Sequence, residues 1–268
     1  MVRQSVQGVS NFQTSDNGQP YYHQSQYGKS YPHFHRSRVS TDLDIEGSVT
    51  VRKAVTRDDL MKVFGVRWEG YKKYYKTPDE NMDQFDFSPH ASLLLAEDKG
   101  HNAVGTIRIL DRRQGSVELD KFIDLDAILP SEKKTSVIEA TRFSIPSHPE
   151  SKMIKMLLWK ALVLYCQINH IDTIVMSARP AAARSYRCLL FENVGPLGVY
   201  KHGLLGDLEH QTYICTISER KSILKQRHWP LYHFFFVKAH SGINTDYFMP
   251  YDPETEYQDQ CMKNWSYV

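Results

Sequence analysis

Between positions 136 and 145 the chain reads Ser-Val-Ile-Glu-Ala-Thr-Arg-Phe-Ser-Ile, so that a carboxylate, Glu139, stands three residues before a guanidinium, Arg142. The run is β-branched, closed by Pro146, and reads as a strand. A carboxylate buried without a partner is costly, so in such a setting it is usually paired or poised for proton transfer. Glu139 is therefore a candidate general base, able to take a proton from an attacking nucleophile. The same residues also allow an ordinary surface Glu beside a surface Arg. Strict alternation places Val137, Glu139, Thr141 and Phe143 on one face and Ile138, Ala140 and Arg142 on the other. The two charges share one site only if the strand is bulged or ends near Thr141.

Other charged residues sit where apolar ones are expected. A strand over 49–55 is followed by a helix, N-capped by Thr56 and running to Tyr75, whose apolar stripe contains Arg67 beside Trp68. The segment 77–89 is a polar, acidic loop containing Asp83-Gln-Phe-Asp86. Two apolar runs, 91–98 and 103–112, form a hairpin by pattern, and Arg108 shares a face of its second strand with Val104, Thr106 and Leu110. Spacing leans towards a strand-end surface charge for Arg108, with a guanidinium aimed into a cleft as the alternative.

The remaining elements must hold these groups. Residues 118–129 suggest short helical turns. A long helix extends to about His170, burying Ile154, Leu157, Leu158, Ala161, Tyr165 and Ile168. A strand over 171–178, a helix over 180–191 and a strand over 211–218 follow. The order β-α-β-β-(short helix)-β-α-β-α-β predicts an α/β class of mixed type, a central mixed sheet flanked by helices. Three regions are expected: a disordered polar tail over 1–47, a domain over 48–218, and a basic, aromatic extension over 219–268 packed on that domain.

With 33 Lys and Arg against 31 Asp and Glu, the net charge of +2 gives no general case for a nucleic-acid partner. Cys166, Cys188, Cys215 and Cys261 are far apart and form no C-x-x-C pair, which suggests a reducing compartment. The first eleven residues lack the apolar core of a secretory signal, and the most apolar stretch, 153–168, is too short to span a bilayer and carries Lys155 and Lys160. The expectation is a cytoplasmic protein with no transmembrane segment. No metal is expected: His33 and His35 sit in a flexible-looking tail, and the other histidines lack ligand spacing.

The order of elements resembles the GNAT-type N-acyltransferase fold. Acetyl-CoA users of that fold carry a glycine-rich loop at the head of the long helix, where backbone N–H groups bind pyrophosphate. Here residues 144–151 contain no glycine, which argues against simple CoA binding. Four motifs in order, Arg67-Trp68, Asp83-Gln-Phe-Asp86, Gly105-Thr-Ile-Arg108 and Glu139-Ala-Thr-Arg-Phe143, are similar to those of long-chain N-acyl amino acid synthases of the N-acyltyrosine synthase type and the related acyl-homoserine-lactone synthases. The resemblance covers roughly 49–218.

It implies transfer of a fatty acyl group from an acyl carrier protein thioester to the α-amine of an amino acid, tyrosine-like, with no bound cofactor beyond the carrier's phosphopantetheine. Glu139 and Arg142 would be catalytic, with Asp83, Asp86, Arg108, Arg67, Trp68 and Phe143 on the substrate side or ordering the acidic loop. A carrier protein is acidic and needs a basic surface. Lys152, Lys155, Arg179, Arg184 and Arg187 flank the donor strand and helices and supply one. Phe143, Leu158 and Phe191 offer an acyl tunnel or ordinary core. The alternatives are a lactone synthase using S-adenosylmethionine and a non-catalytic GNAT-like binding module whose segment 219–236 meets a partner or a membrane surface.

Overall fold

The computed structural model describes residues 22–24, 30–32, 47–203 and 207–249. Tyr22–Gln24 and Ser30–Pro32 pair antiparallel in a unit of their own. The rest of the expected tail, with His33 and His35, and the end of the extension, with Cys261, lie outside the described residues.

Strand β1, Val49–Lys53, alternates buried and open positions as its sequence predicts. Helix α1, Arg57–Tyr71, opens on a capping box: the Asp59 N–H donates to Thr56 Oγ1 at 3.1 Å while the Thr56 N–H donates to the Asp59 carboxylate at 3.1 Å. It ends four residues before the expected Tyr75. The chain tightens into a turn there, the Tyr74 N–H donating to the Tyr71 carbonyl at 2.8 Å. Tyr71 and Tyr75 thereby both reach the sheet, so tertiary contacts override helix propensity.

β2, Ala91–Asp98, and β3, Ala103–Asp111, form the expected hairpin. Helical turns at Glu118–Lys121 and Leu125–Ile128 lead to β4, Val137–Ser144, and α2, Ser151–Ile168. β5, Thr173–Ala178, is followed by α3, Ala183–Cys188, which is shorter than predicted because the chain turns through Leu190 at a φ of 62°. Two strands that the sequence pattern does not reveal come next, β6 at Glu192–Asn193 and β7 at Val199–His202. They are too short to display a period of two, and Gly195, Pro196 and Gly198 interrupt the run between them. β8, Leu208–Thr216, and α4, Ile217–Arg227, follow.

The eight strands form one sheet in the order β1-β2-β3-β4-β5-β8-β6, with β7 also paired to β8. Every pairing is antiparallel except β4 with β5. This is the expected mixed α/β sheet flanked by helices.

The two main helices take opposite faces of the sheet. A Cβ on Gly105 would come within 2.8 Å of Ile154 and 3.0 Å of Leu158, so α2 lies directly over that face of β3. Three residues on, Arg108 points the other way, towards α1 and the acidic loop. The glycine of the Gly-x-x-Arg motif thus admits the long helix, while the arginine addresses the opposite layer. Among the described residues, no helix is long and apolar enough to cross a membrane.

Candidate active site

β4 and β5 pair only at Val137 with Thr173, Ile138 with Ile174 and Glu139 with Val175. Beyond this point they part, and a cavity of about 260 Å³ opens between Ala140–Phe143 of β4 and 176–179 at the end of β5. On its other edge β4 carries a bulge: Thr106 pairs with Ser144 but Arg108 with Thr141, three steps on β4 against two on β3. The extra residue is Arg142, in the left-handed region at a φ of 53°. That conformation costs on the order of 1 kcal/mol or more for a residue with a side chain. Its contacts offset the cost, because Arg142 donates to Tyr75 Oη at 2.6 Å, Asp83 at 2.7 Å and Glu118 at 2.9 Å, and Tyr71 Oη donates to the Phe143 carbonyl at 2.7 Å. The bulge puts Arg142 and Glu139 on the same cavity, which strict alternation forbids.

Behind this wall lies an ion cluster joining α1, the acidic loop, β3 and β4. Arg67 donates to Asp86 at 2.7 Å; Arg108 donates to Asp83 at 2.6 Å, Asp86 at 2.9 Å and Glu118 at 2.6 Å. With Arg142, three guanidiniums face three carboxylates, so the cluster is charge-balanced. Arg67, Asp86 and Arg108 are fully buried at their side chains, which overturns the surface expectation for Arg108. An arginine on an interior face is tolerable only because its partners arrive from segments distant in sequence. Asp83 also caps the turn at Gln84–Phe87, accepting from the Phe85 N–H at 2.9 Å, so its capping and ion-pairing roles coexist.

Burial opposes the charges of Glu118, Asp83, Arg67, Arg108 and Arg142. For Glu118 the guanidiniums of Arg142 and Arg108, with His202, outweigh burial and hold the carboxyl well below the usual range. For Asp83 the same two arginines prevail over burial and lower its pKa. Burial is the largest influence on Arg67 and pushes it down, whereas for Arg108 it is outweighed by Asp86 and Glu118.

Glu139 differs. It is 1% exposed and accepts hydrogen bonds from the backbone N–H groups of Leu119, at 3.0 Å, and Glu118. Among the described residues it has no ion-pair partner. Burial first, and then the negative charge of Glu118, push its pKa up to about 8. Burial thus moves Glu139 up towards neutral pH, whereas Glu118 and Asp83 beside it are moved down.

The other cavity walls come from residues the sequence reading missed. Glu118, noted only as the start of an irregular stretch, lines the cavity and ties Arg108 to Arg142. Tyr200, His202 and His210 line it from β7 and β8, which pair His210 with Tyr200 and Leu208 with His202. The His202 Nε2 lies 3.7 Å from Glu118, and Tyr200 Oη donates to Ser177 Oγ at 2.6 Å. Recognising β7 as a strand is the signal that finds the histidines, since antiparallel pairing brings 202 and 210 together.

Of the residues singled out in the sequence, Glu139, Arg142, Phe143 and Arg179 line the cavity. Arg67, Asp83, Asp86 and Arg108 stand behind it and order the loop, and Trp68 is half-buried away from the lining. Phe143 stacks on Trp159 with centroids 5.3 Å apart, and Trp159 meets Phe191 at 5.4 Å and Tyr186 at 6.1 Å, an aromatic wall on the donor side. Leu158 is core, packed towards Gly105. Lys152, Arg179, Arg184 and Arg187 are exposed, and Lys155 is half-buried. Among the described residues no group of three potential ligands could hold a metal ion.

Comparison with known proteins places this arrangement. No curated protein matches the chain. Among solved structures, it is similar to FeeM, an N-acyl amino acid synthase from uncultured soil microbes, at 19% identity and a TM-score of 0.55 over 65% of this chain and 93% of that one. It is also similar to MesI, a CoA-dependent acyl-homoserine lactone synthase, at 17% identity and a TM-score of 0.51 over 72% of this chain and 98% of that one. These likenesses establish the fold. The family model for the N-acyl amino acid synthase FeeM matches residues 65–203, just over half of the chain and the whole of the charged layer and cavity mouth as far as His202. The chain is an acyltransferase and belongs to the FeeM family of N-acyl amino acid synthases.

Proposed function

We propose that the chain transfers a long-chain fatty acyl group from the phosphopantetheine thioester of an acyl carrier protein to the α-amine of an amino acid, tyrosine-like in type, with Glu139 as general base. The observation that carries this reading is Glu139 itself: a carboxylate with no cation partner among the described residues, on the cavity where β4 and β5 part, with a pKa near 8. A free α-amine is mostly protonated near neutral pH, and a carboxylate whose pKa has been raised is a stronger base for removing that proton than an ordinary one.

A thioester is already activated and needs no enzyme nucleophile. Glu139, directly or through a water, takes a proton from the ammonium; the amine nitrogen attacks the thioester carbonyl carbon. The C–S bond breaks as the amide forms, and the thiolate leaves with a proton. Arg142 is a positioning residue in this scheme. Its terminal nitrogens are engaged by Tyr75, Asp83 and Glu118, so it fixes the bulge rather than gripping a substrate carboxylate. The exposed Lys152, Arg179, Arg184 and Arg187 form the surface for the acidic carrier, and the aromatic wall of Phe143, Trp159 and Tyr186 receives the head of the acyl chain. The carrier's thioester is a co-substrate, and no resident cofactor is invoked.

Mass spectrometry of lipid extracts from cells expressing the chain, with and without Glu139→Gln, tests this reading. The expected result is an N-acyl amino acid that the variant fails to make. Acyl-homoserine lactones in its place would move the chain to lactone synthesis, and no acylated product with a sufficient carrier supply would overturn the proposal.

A further inference from the structure

The segment after β8 is built as a clamped platform with an outward face. α4 buries Ile217, Arg220 and Leu224 along one stripe and leaves Lys221, Lys225 and Arg227 exposed. A turn at Trp229–Tyr232 and a π-helical turn at His233–Val237 follow. Phe234 and Phe235 point inwards and are buried. Two cations lock them down, one from the domain and one from α4 itself: Lys160 of α2 donates to the carbonyls of Phe234 and Lys238, and the Arg220 guanidinium sits 4.1 Å from the Phe235 ring centroid.

What remains outward is continuous. Trp229 is 57% exposed and Val237 51% exposed. The Trp229 ring meets Tyr232 at 5.2 Å, Tyr232 meets Phe236 at 5.8 Å, and Lys221 Nζ lies 5.9 Å from the Phe236 ring. Cations therefore frame an aromatic patch. Residues 217–240 carry five Lys and Arg against one Glu, whereas the remainder of the chain carries 28 Lys and Arg against 30 Asp and Glu. The net positive charge of this protein falls on the segment that also exposes Trp229, with Lys221, Lys225 and Arg227 at its surface and Arg220 buried beneath.

We propose that this face docks the enzyme on the surface of an anionic lipid bilayer. Basic residues meet anionic headgroups, and exposed Trp and Tyr with a neighbouring apolar residue suit the headgroup boundary. An acidic protein would satisfy the charge alone, but its place is wrong for delivering a thioester. α4 begins at the end of β8 where Thr216 pairs with Thr173, the first residue of β5, whereas the cavity lies at the other end of β5, along 176–179. The separation along the strand is about 10–17 Å. A bilayer at the α4 end leaves the cavity end open to a carrier. This inference does not depend on which amine is acylated.

Flotation of the full chain with vesicles of phosphatidylcholine alone, or of phosphatidylcholine with phosphatidylglycerol, tests it. The expected result is salt-sensitive binding to the anionic vesicles only, reduced at least about ten-fold in Lys221→Glu/Lys225→Glu and several-fold in Trp229→Ser. Circular dichroism and acyl transfer in vesicle-free solution should match the wild type in both variants. No flotation by a folded, active wild-type chain would overturn the proposal, as would equal binding by the charge-reversed variant. Capture of an acidic carrier protein that is lost in that variant, without vesicle binding, would assign the face to a protein and overturn it as well.

Discussion

The ion cluster and Glu139 are neighbours in one fold, yet burial acts on them with opposite outcomes. Arg67, Arg108 and Arg142 meet Asp83, Asp86 and Glu118 at 2.6 to 2.9 Å, and the attraction outweighs the loss of water for the two acids at its edge, Glu118 and Asp83. Glu139 has two backbone N–H groups and a nearby like charge instead, and burial wins. Carboxylates pinned in the ionised state are poor proton acceptors, because their protonated form is the costly one. The difference assigns architecture to the cluster and proton transfer to its neighbour.

The largest expected break in this comparison is Glu139→Gln. The amide keeps shape but cannot accept the proton, so kcat/KM should fall roughly 10²- to 10⁴-fold, measured with saturating acyl donor. For the wild-type chain kcat/KM should rise with pH up to about 8 as Glu139 ionises. Stability moves the other way. Glu139 holds its proton in the folded chain up to a pKa of about 8 but releases it near 4.5 when unfolded, so the stability it confers is full below 4.5 and lost as pH rises to 8. Melting curves across this window should show Glu139→Gln level with wild type at the acid end and more stable at pH 8.

Next comes a break in the cluster. Asp86→Ala leaves Arg67 without its ion-pair partner and Arg108 short of one, at fully buried positions, and should cost about 3–5 kcal/mol in urea unfolding. If Asp86→Ala instead leaves stability intact and abolishes activity, the division of labour drawn above is wrong. Gly105→Val tests the layer on the other face of β3. The new side chain would press on Ile154 and Leu158 and should cost about 1–3 kcal/mol without changing the pH profile of activity. The smallest effect is expected at the surface: Arg184→Glu/Arg187→Glu should raise KM for the carrier-bound donor several-fold at low salt and leave KM for the amine unchanged.

Much of this arrangement was legible before folding. Thr56 with Asp59 marked the start of α1, and Ile154, Leu157, Leu158 and Ala161 marked the buried stripe of α2. Glu139 and Arg142 stood out as charges in an apolar strand, and Asp83-Gln-Phe-Asp86 as one of four motifs in order. Glu118 did not, because nothing in its neighbourhood announces that Arg108, Arg142 and His202 converge on it. β7 escaped notice because four residues cannot display an alternation, and with it went Tyr200 and His202.

By itself, then, the sequence determined the kinds of group at the site and the elements that carry them, since residue type and spacing are local properties. Tertiary structure alone decided that Arg142 turns back towards Glu139, that Arg108 is interior, and that Glu139, unlike Asp83, Asp86 and Glu118 beside it, has no cation partner among the described residues. Each of those outcomes depends on a bulge or on partners from distant segments, and burial acts on a charge according to what surrounds it in space.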